Sequence, residues 1–416
     1  METVSTGMWG GAEALGNGAT EPVARGKFVS AAIKDAFLLD PSIHFLNHGS
    51  FGACPKPVFE EYQRWQRELE RQPVEFLGRR FDDLMRQARE ELAAYLNVRP
   101  DDLVYVTNAT WGVNVIARSL DLEPGDEVLT TDHEYGACTM TWEYLLGKVG
   151  ARLVRCEIPL PVTSCEEMVE RFWSCVTPRT KVVYLSHITS PTALIFPVKE
   201  ICRRAREHGI LSVVDGAHAP GQISLDLTDL GADIYTGNLH KWLCAPKGAG
   251  FLYVRPEEQD WVESLVISWG WGRSGELSES TFVQRNEWQG TRDISPFLSV
   301  PAAIRFQREH DWDAVRARCH ALAREARNRI AELTGLPPIS PDSPAWFSQM
   351  VSCPIPPCDT AVLKERLYEE FRVEVPIVQR KNGGTFVRVS FQAYNDEADL
   401  EALLEGLTAL LPQVSS

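Results

Sequence analysis

The sequence predicts an α/β chain, a mostly parallel sheet covered by helices with a smaller α+β domain at its C-terminal end. Three observations predict it. Short apolar runs alternate with helix-period segments from about residue 58 to residue 254. Polar clusters follow those runs at their carboxyl ends, where open parallel sheets hold ligands. Beyond about Pro301 the pattern changes to long helices around one apolar strand.

The elements follow in order. Residues 1–27 are rich in Gly, Ala and Thr without periodicity and read as a disordered tail. A large domain is expected over 28–300 and a small one over 301–416, with the first segment of the large domain free to pack on the small one. Residues 58–70 and 79–96 have helical period, and Asn97 stops the second. Residues 103–107 form a short buried strand, and 113–120 a helix. Strands are expected at 127–130, after a Pro-Gly-Asp turn, and at 152–155, 181–185 and 211–215. A helix at 198–207, ended by Gly209, lies between the last two of these. Strands at 233–236 and 250–254 complete the sheet, the turn Pro246-Lys-Gly248 leading into the last. Two long helices, a strand and a final helix at 397–411 make the C-terminal part.

Charge and composition exclude several function classes. The chain has 416 residues, with 42 basic against 57 acidic side chains and a net charge of −15. An acidic surface disfavours nucleic acid and anionic membrane as partners. A small anionic ligand in a local cationic pocket stays compatible with it. The ten cysteines form no CxxC pair and are expected as reduced thiols in a cytoplasmic protein. The N-terminus lacks a basic start and an apolar core of the signal-peptide kind, and no apolar run reaches the ~20 residues of a membrane helix. No metal site is expected.

Chemistry gathers around Thr236-Gly-Asn-Leu-His-Lys-Trp242, which holds Lys241 between two rings. Lysine normally points into water, so one held in such company has work to do. Four further clusters end strands: Thr107-Asn-Ala-Thr110, Thr131-Asp-His-Glu-Tyr135, Ser186-His-Ile-Thr-Ser190 and Asp215-Gly-Ala-His218. Together they suit a phosphorylated aromatic aldehyde. Ala109 and Thr110 open a helix whose backbone N–H groups and dipole favour phosphate. Asp215 ends an apolar strand and can keep a pyridine nitrogen protonated. His133 or Tyr135 can lie flat on the ring. Lys241 can form an imine and then move protons. The 26 positions from Asp215 to Lys241 leave room for one crossover, so adjacent strand ends can carry both.

This order resembles the aminotransferase class V family of fold type I pyridoxal-phosphate enzymes, over residues 45–411. Phe45-Leu-Asn-His-Gly-Ser-Phe-Gly52, Asp132-His-Glu-Tyr-Gly136 and Glu287-Trp-Gln-Gly-Thr-Arg-Asp293 are similar to its isopenicillin N epimerase branch. The resemblance implies pyridoxal 5'-phosphate as cofactor, with Lys241 as its imine lysine and Asp215 at the ring nitrogen. It implies His218 at the ring hydroxyl, and Ala109, Thr110, Asn238 and His240 on the phosphate side. Thr291 corresponds to a residue reaching the phosphate of a partner subunit, which implies a homodimer with shared active sites. Arg388, within Arg388-Val-Ser-Phe-Gln-Ala-Tyr-Asn395, corresponds to the arginine that grips the substrate carboxylate, and Asn47 is expected beside the substrate. His133 matches the stacking position, with Tyr135 close enough to compete. Desulfurases of the family carry a nucleophilic cysteine shortly before that arginine, and residues 375–385 hold none. The implied activity is α-proton abstraction from an amino acid or conjugate by Lys241, as in an epimerase. The alternatives are C–S lysis of cysteine or a cysteine conjugate (the sulfoxide lyase of ergothioneine synthesis is one type), transamination, and an inactive dimeric scaffold.

Overall fold

The computed structural model describes residues 33–272, 280–380 and 383–415, so the expected tail at 1–27 lies outside the described residues. Seven strands build the main sheet: β1 Leu103–Val106, β2 Glu127–Thr131, β3 Arg152–Cys156, β4 Thr180–Ser186, β5 Leu211–Gly216, β6 Ile234–Asn238 and β7 Gly250–Val254. Their spatial order is β1-β7-β6-β5-β4-β2-β3. β2 through β6 pair in parallel, whereas β7 runs antiparallel to both neighbours. The reversal has a simple cause. The link from Asn238 to Gly250 is too short for the helical crossover that a parallel return needs.

Side chains alternate between two cores, one on each face of the sheet. Leu103, Tyr105, Leu129, Val183 and Leu185 point into one, and Val104, Val106, Val128, Val182 and Tyr184 into the other. The alternation makes the strands read as continuous apolar runs. Two covering helices were not expected from the sequence, Gly136–Val149 and Cys165–Trp173. The first buries Cys138, Trp142 and Leu146 at four-residue spacing among Gly and Thr.

The C-terminal part carries an antiparallel three-stranded sheet: β8 Met350–Ile355, β9 Ile377–Gln379 and β10 Thr385–Ser390, with β10 central. Helices Trp312–Thr334, Thr360–Phe371 and Glu397–Val414 pack around it. The N-terminal segment docks here, His44–Phe45 pairing in parallel with Val373–Glu374.

One expectation is corrected. Cys156, at the end of β3, and Cys175, just past helix Cys165–Trp173, form a disulfide across 19 positions with Cα atoms 5.9 Å apart. The chain's scattered cysteines are therefore not all free thiols. The helix returns antiparallel to the strand and brings together two residues whose spacing carries no motif.

Candidate active site

The carboxyl ends of the parallel strands meet at Lys241, three residues beyond β6. Lys241 Nζ lies 3.1 Å from His218 Nε2, and the Trp242 indole N–H donates to His218 Nδ1 at 3.3 Å. An indole nitrogen can only donate, so His218 Nδ1 accepts and its proton sits on Nε2. That N–H then points at Lys241, which can accept it only as a neutral amine. Electrostatics agree. Burial, reinforced by the Arg388 charge, brings the Lys241 ammonium down to about 8. Burial likewise holds His218 neutral, well below the usual histidine range. Lys241 is surrounded by protein yet still reachable from the cleft.

Asp215 ends β5 beside Ser186 of β4 and Thr236 of β6. Its carboxylate accepts from the Ala217 N–H at 2.9 Å and the Tyr184 hydroxyl at 3.2 Å, with the Cys138 thiol at 3.7 Å. Burial raises its pKa, and these donors together with Lys241 oppose the rise.

The helix Ala109–Ser119 starts directly at the end of β1. Asn108 caps it by accepting the Trp111 N–H at 2.9 Å. Asn238 Oδ1 accepts the Ala109 N–H at 2.8 Å, so these two expected phosphate-side residues bond each other. Thr110 has its hydroxyl beside the Cys138 thiol. His240 donates from Nδ1 to the Ala249 carbonyl at 3.2 Å, and burial lowers it to about 4.

His133 is sealed and bonded at both nitrogens. Its Nε2–H donates to the Ile158 carbonyl at 2.9 Å, and the Thr192 hydroxyl donates to Nδ1 at 2.8 Å. Burial lowers this ring to about 4 as well. Tyr135, two residues on, stays half exposed and lies near Arg388. Between them Glu134 is buried among three donors from Thr131 and Ser186, and burial pushes it up to about 7.

Arg388, on β10, is buried and its Nε has no partner. Its Nη1 donates to the Ser190 carbonyl at 2.6 Å and hydroxyl at 3.0 Å, and its Nη2 to the Ser50 hydroxyl at 3.1 Å. A guanidinium has five N–H donors. That leaves one donor on Nε and one on Nη2 without a partner among the described residues. Burial lowers its pKa to about 10, and no carboxylate among the described residues pairs with it. Asn47 enters through Ser50, accepting that hydroxyl at 2.5 Å while its own amide donates to Glu374 at 2.9 Å.

The structure thus gathers Lys241, His218, Asp215 and, by their charge, Arg388. It ties Asn238 to Ala109 and Asn47 to Arg388. Thr291 stands apart, exposed after Gly290 on this chain's surface. Trp242, Tyr184, Ser50 and Ser190 were missed as site residues. Ser50 and Ser190 lie inside quoted clusters, but a serine in a loop carries no signal of its own. Tyr184 does carry one, a hydroxyl in an otherwise apolar buried strand.

The sequence matches the aminotransferase class-V family over residues 53–403. The chain belongs to that family. As a class-V protein it is a pyridoxal-phosphate-dependent enzyme. Isopenicillin N epimerase of Amycolatopsis lactamdurans is 38% identical over 392 residues, covering 91% of this chain and 98% of the epimerase. A probable chloroplastic L-cysteine desulfhydrase of Arabidopsis thaliana is 30% identical over 409 residues, covering 89% of this chain and 84% of that protein. In fold, this class-V chain is similar to the apo cysteine desulfurase of Thermococcus onnurineus NA1, with a TM-score of 0.79 at 21% identity over 92% of this chain and 98% of that one. The residues present fit the cofactor: a reachable lysine whose pKa burial lowers to about 8 and a buried carboxylate lie at adjoining strand ends.

Proposed function

We propose that this enzyme abstracts the α-proton of an amino acid or amino-acid conjugate, as an epimerase similar to isopenicillin N epimerase. Arg388 carries the reading. A buried guanidinium with an unpartnered Nε, and no carboxylate partner among the described residues, suits a substrate α-carboxylate.

The other roles follow. When bound, pyridoxal 5'-phosphate supplies an electron-withdrawing ring joined to the substrate amine, which acidifies the α-proton. Lys241 would hold the cofactor aldehyde, and its amine, lowered to about 8 by burial, would be the group placed to take the α-proton. Asp215 would hold the ring nitrogen, and His218 would stand on the ring-hydroxyl side. Ala109, Thr110, Asn238 and His240 hold the phosphate. His133, rather than Tyr135, is assigned to cover the ring, a role that rests on its position in the family motif. Tyr135 instead stands toward the substrate, near Arg388. Thr291 serves the phosphate of a partner subunit in a homodimer. The chain divides into a large domain at 28–300 and a small one at 301–416.

C–S lysis is the second reading, favoured by the similarity to a probable cysteine desulfhydrase. The chain has no cysteine after Cys358, so no thiol on the segment before Arg388 stands ready to accept sulfur. A lyase built this way releases the sulfur directly.

Purified protein mixed with pyridoxal phosphate should show the visible band of the lysine-bound cofactor, and Lys241→Ala should abolish it. A band that persists in the variant sinks the assignment. A panel of amino acids then separates the outcomes: chiral inversion without pyruvate marks the epimerase, and pyruvate with a released sulfur species marks the lyase. Arg388→Lys should raise KM by about tenfold or more, because a point charge replaces a planar guanidinium.

A further inference from the structure

We propose that Arg380 is a positioning residue: it latches the β9–β10 hairpin onto the segment that orients His133, so that one hairpin sets both His133 and Arg388. Arg380 follows β9 directly. Its N–H donates to the Gly384 carbonyl and its carbonyl accepts the Gly383 N–H, both at 3.2 Å. Gly383 and Gly384 have φ of 99° and 89°, and a Cβ on Gly384 would come within 2.8 Å of the Phe386 ring.

Arg380 Nη2 meets Asp132 Oδ2 at 2.6 Å, with both side chains over nine-tenths buried. The other oxygen of Asp132 accepts the Ile158 N–H at 2.9 Å, and the Ile158 carbonyl accepts the His133 Nε2–H at 2.9 Å. The chain of contacts therefore runs from the hairpin through Asp132 and Ile158 to the imidazole. Arg388 sits eight residues beyond Arg380, on the next strand of the same hairpin. Breaking a buried pair leaves a charge without a partner, so the latch resists opening. Asp132 belongs to the β2 strand end, and Arg380 to a sheet of separate topology. Their pairing fixes one relative to the other.

The expected effect on cofactor affinity rests on the proposed covering role of His133; the latch itself does not. The full chain is prepared as Arg380→Gln, Asp132→Asn, the double variant and Arg380→Lys. Two quantities are read: exchange of the Ile158 amide with the His133 ring ¹⁵N shifts in protein without cofactor, and the Kd for pyridoxal phosphate from its visible band. Arg380→Gln should speed Ile158 amide exchange and move the His133 ring signals. Each single charge-removing variant should weaken cofactor affinity about tenfold, and the double variant no further, because the two residues act as one unit. Arg380→Lys should recover affinity to within about threefold, since the contact uses one donor nitrogen and a point charge can replace it. Unmoved Ile158 and His133 signals, or additive losses in the double variant, would overturn the latch. Moved signals with unchanged cofactor affinity uphold the latch and sink the covering role of His133 instead.

Discussion

At the residue scale, burial and the Arg388 charge lower Lys241, and Trp242 bears on it through His218. Its indole N–H fixes the His218 tautomer, and that tautomer requires a neutral amine. Trp242→Phe keeps an aromatic ring and removes the donor. His218 is then free to carry its proton on Nδ1 and to accept from a charged Lys241. We expect the Lys241 pKa to rise above about 8 in the variant. Cofactor capture at neutral pH should slow several-fold and recover at higher pH. The measurement is the pH dependence of the rate at which the visible band appears, with His218 ring ¹⁵N shifts as the tautomer readout. An unchanged pH profile rules out this role for the indole. The importance of Lys241 was legible in sequence from its company. The duty of Trp242 was not, because an indole beside a catalytic residue reads as packing until its donor is seen to meet an acceptor.

At the element scale, the segment His48–Phe51 and its flanks act as a clamp on the lysine loop. His48 donates to the Lys241 carbonyl at 3.0 Å and accepts from the Tyr394 hydroxyl at 2.9 Å. The Lys247 ammonium donates to the Gly52 carbonyl at 3.0 Å. Gly52 has φ of 71°, and a Cβ there would stand 2.0 Å from the His240 carbonyl oxygen. Gly52→Ala therefore meets both a left-handed backbone and a backbone clash. It should cost about 2 kcal/mol or more in urea denaturation and weaken cofactor affinity in parallel. Stability lost with affinity intact would show that the clamp is structural only. Helix and strand positions were largely readable: 198–207 and 250–254 coincide with the observed elements. The reversed direction of β7 and the helix Gly136–Val149 were not, since direction depends on the length of a connection and that helix hides its apolar positions among Gly and Thr.

At the scale of the whole molecule, buried neutral histidines govern acid stability. Burial lowers His48 to about 3 and His133 and His187 to about 4, against an ordinary 6.5. The folded chain thus binds fewer protons than the unfolded one between about pH 6.5 and 4. The stability these groups contribute is complete above 6.5 and is lost as pH falls through that window, several kcal/mol in all. Glu134, raised to about 7, works in the opposite direction, losing its contribution as pH rises from its ordinary 4.5. With His218 and His240 lowered too, the buried histidines outnumber the carboxyls that burial raises, Glu134, Asp215 and Asp102, so the melting temperature of the protein without cofactor should fall from pH 6.5 to 4. A flat profile over that range contradicts the buried-neutral assignment. The sequence by itself determined the layered α/β class, most strand ends, and the residue types gathered around Lys241. Those properties live in local periodicity and in the order of clusters along the chain. Only the tertiary structure decided which donors remain free on Arg388, which tautomer faces Lys241, that Cys156 and Cys175 are joined, and that Arg380 reaches Asp132. Each of these is a relation between atoms tens to hundreds of residues apart. No local pattern encodes such relations, because the packing of sheet, loop and C-terminal layer sets the distances.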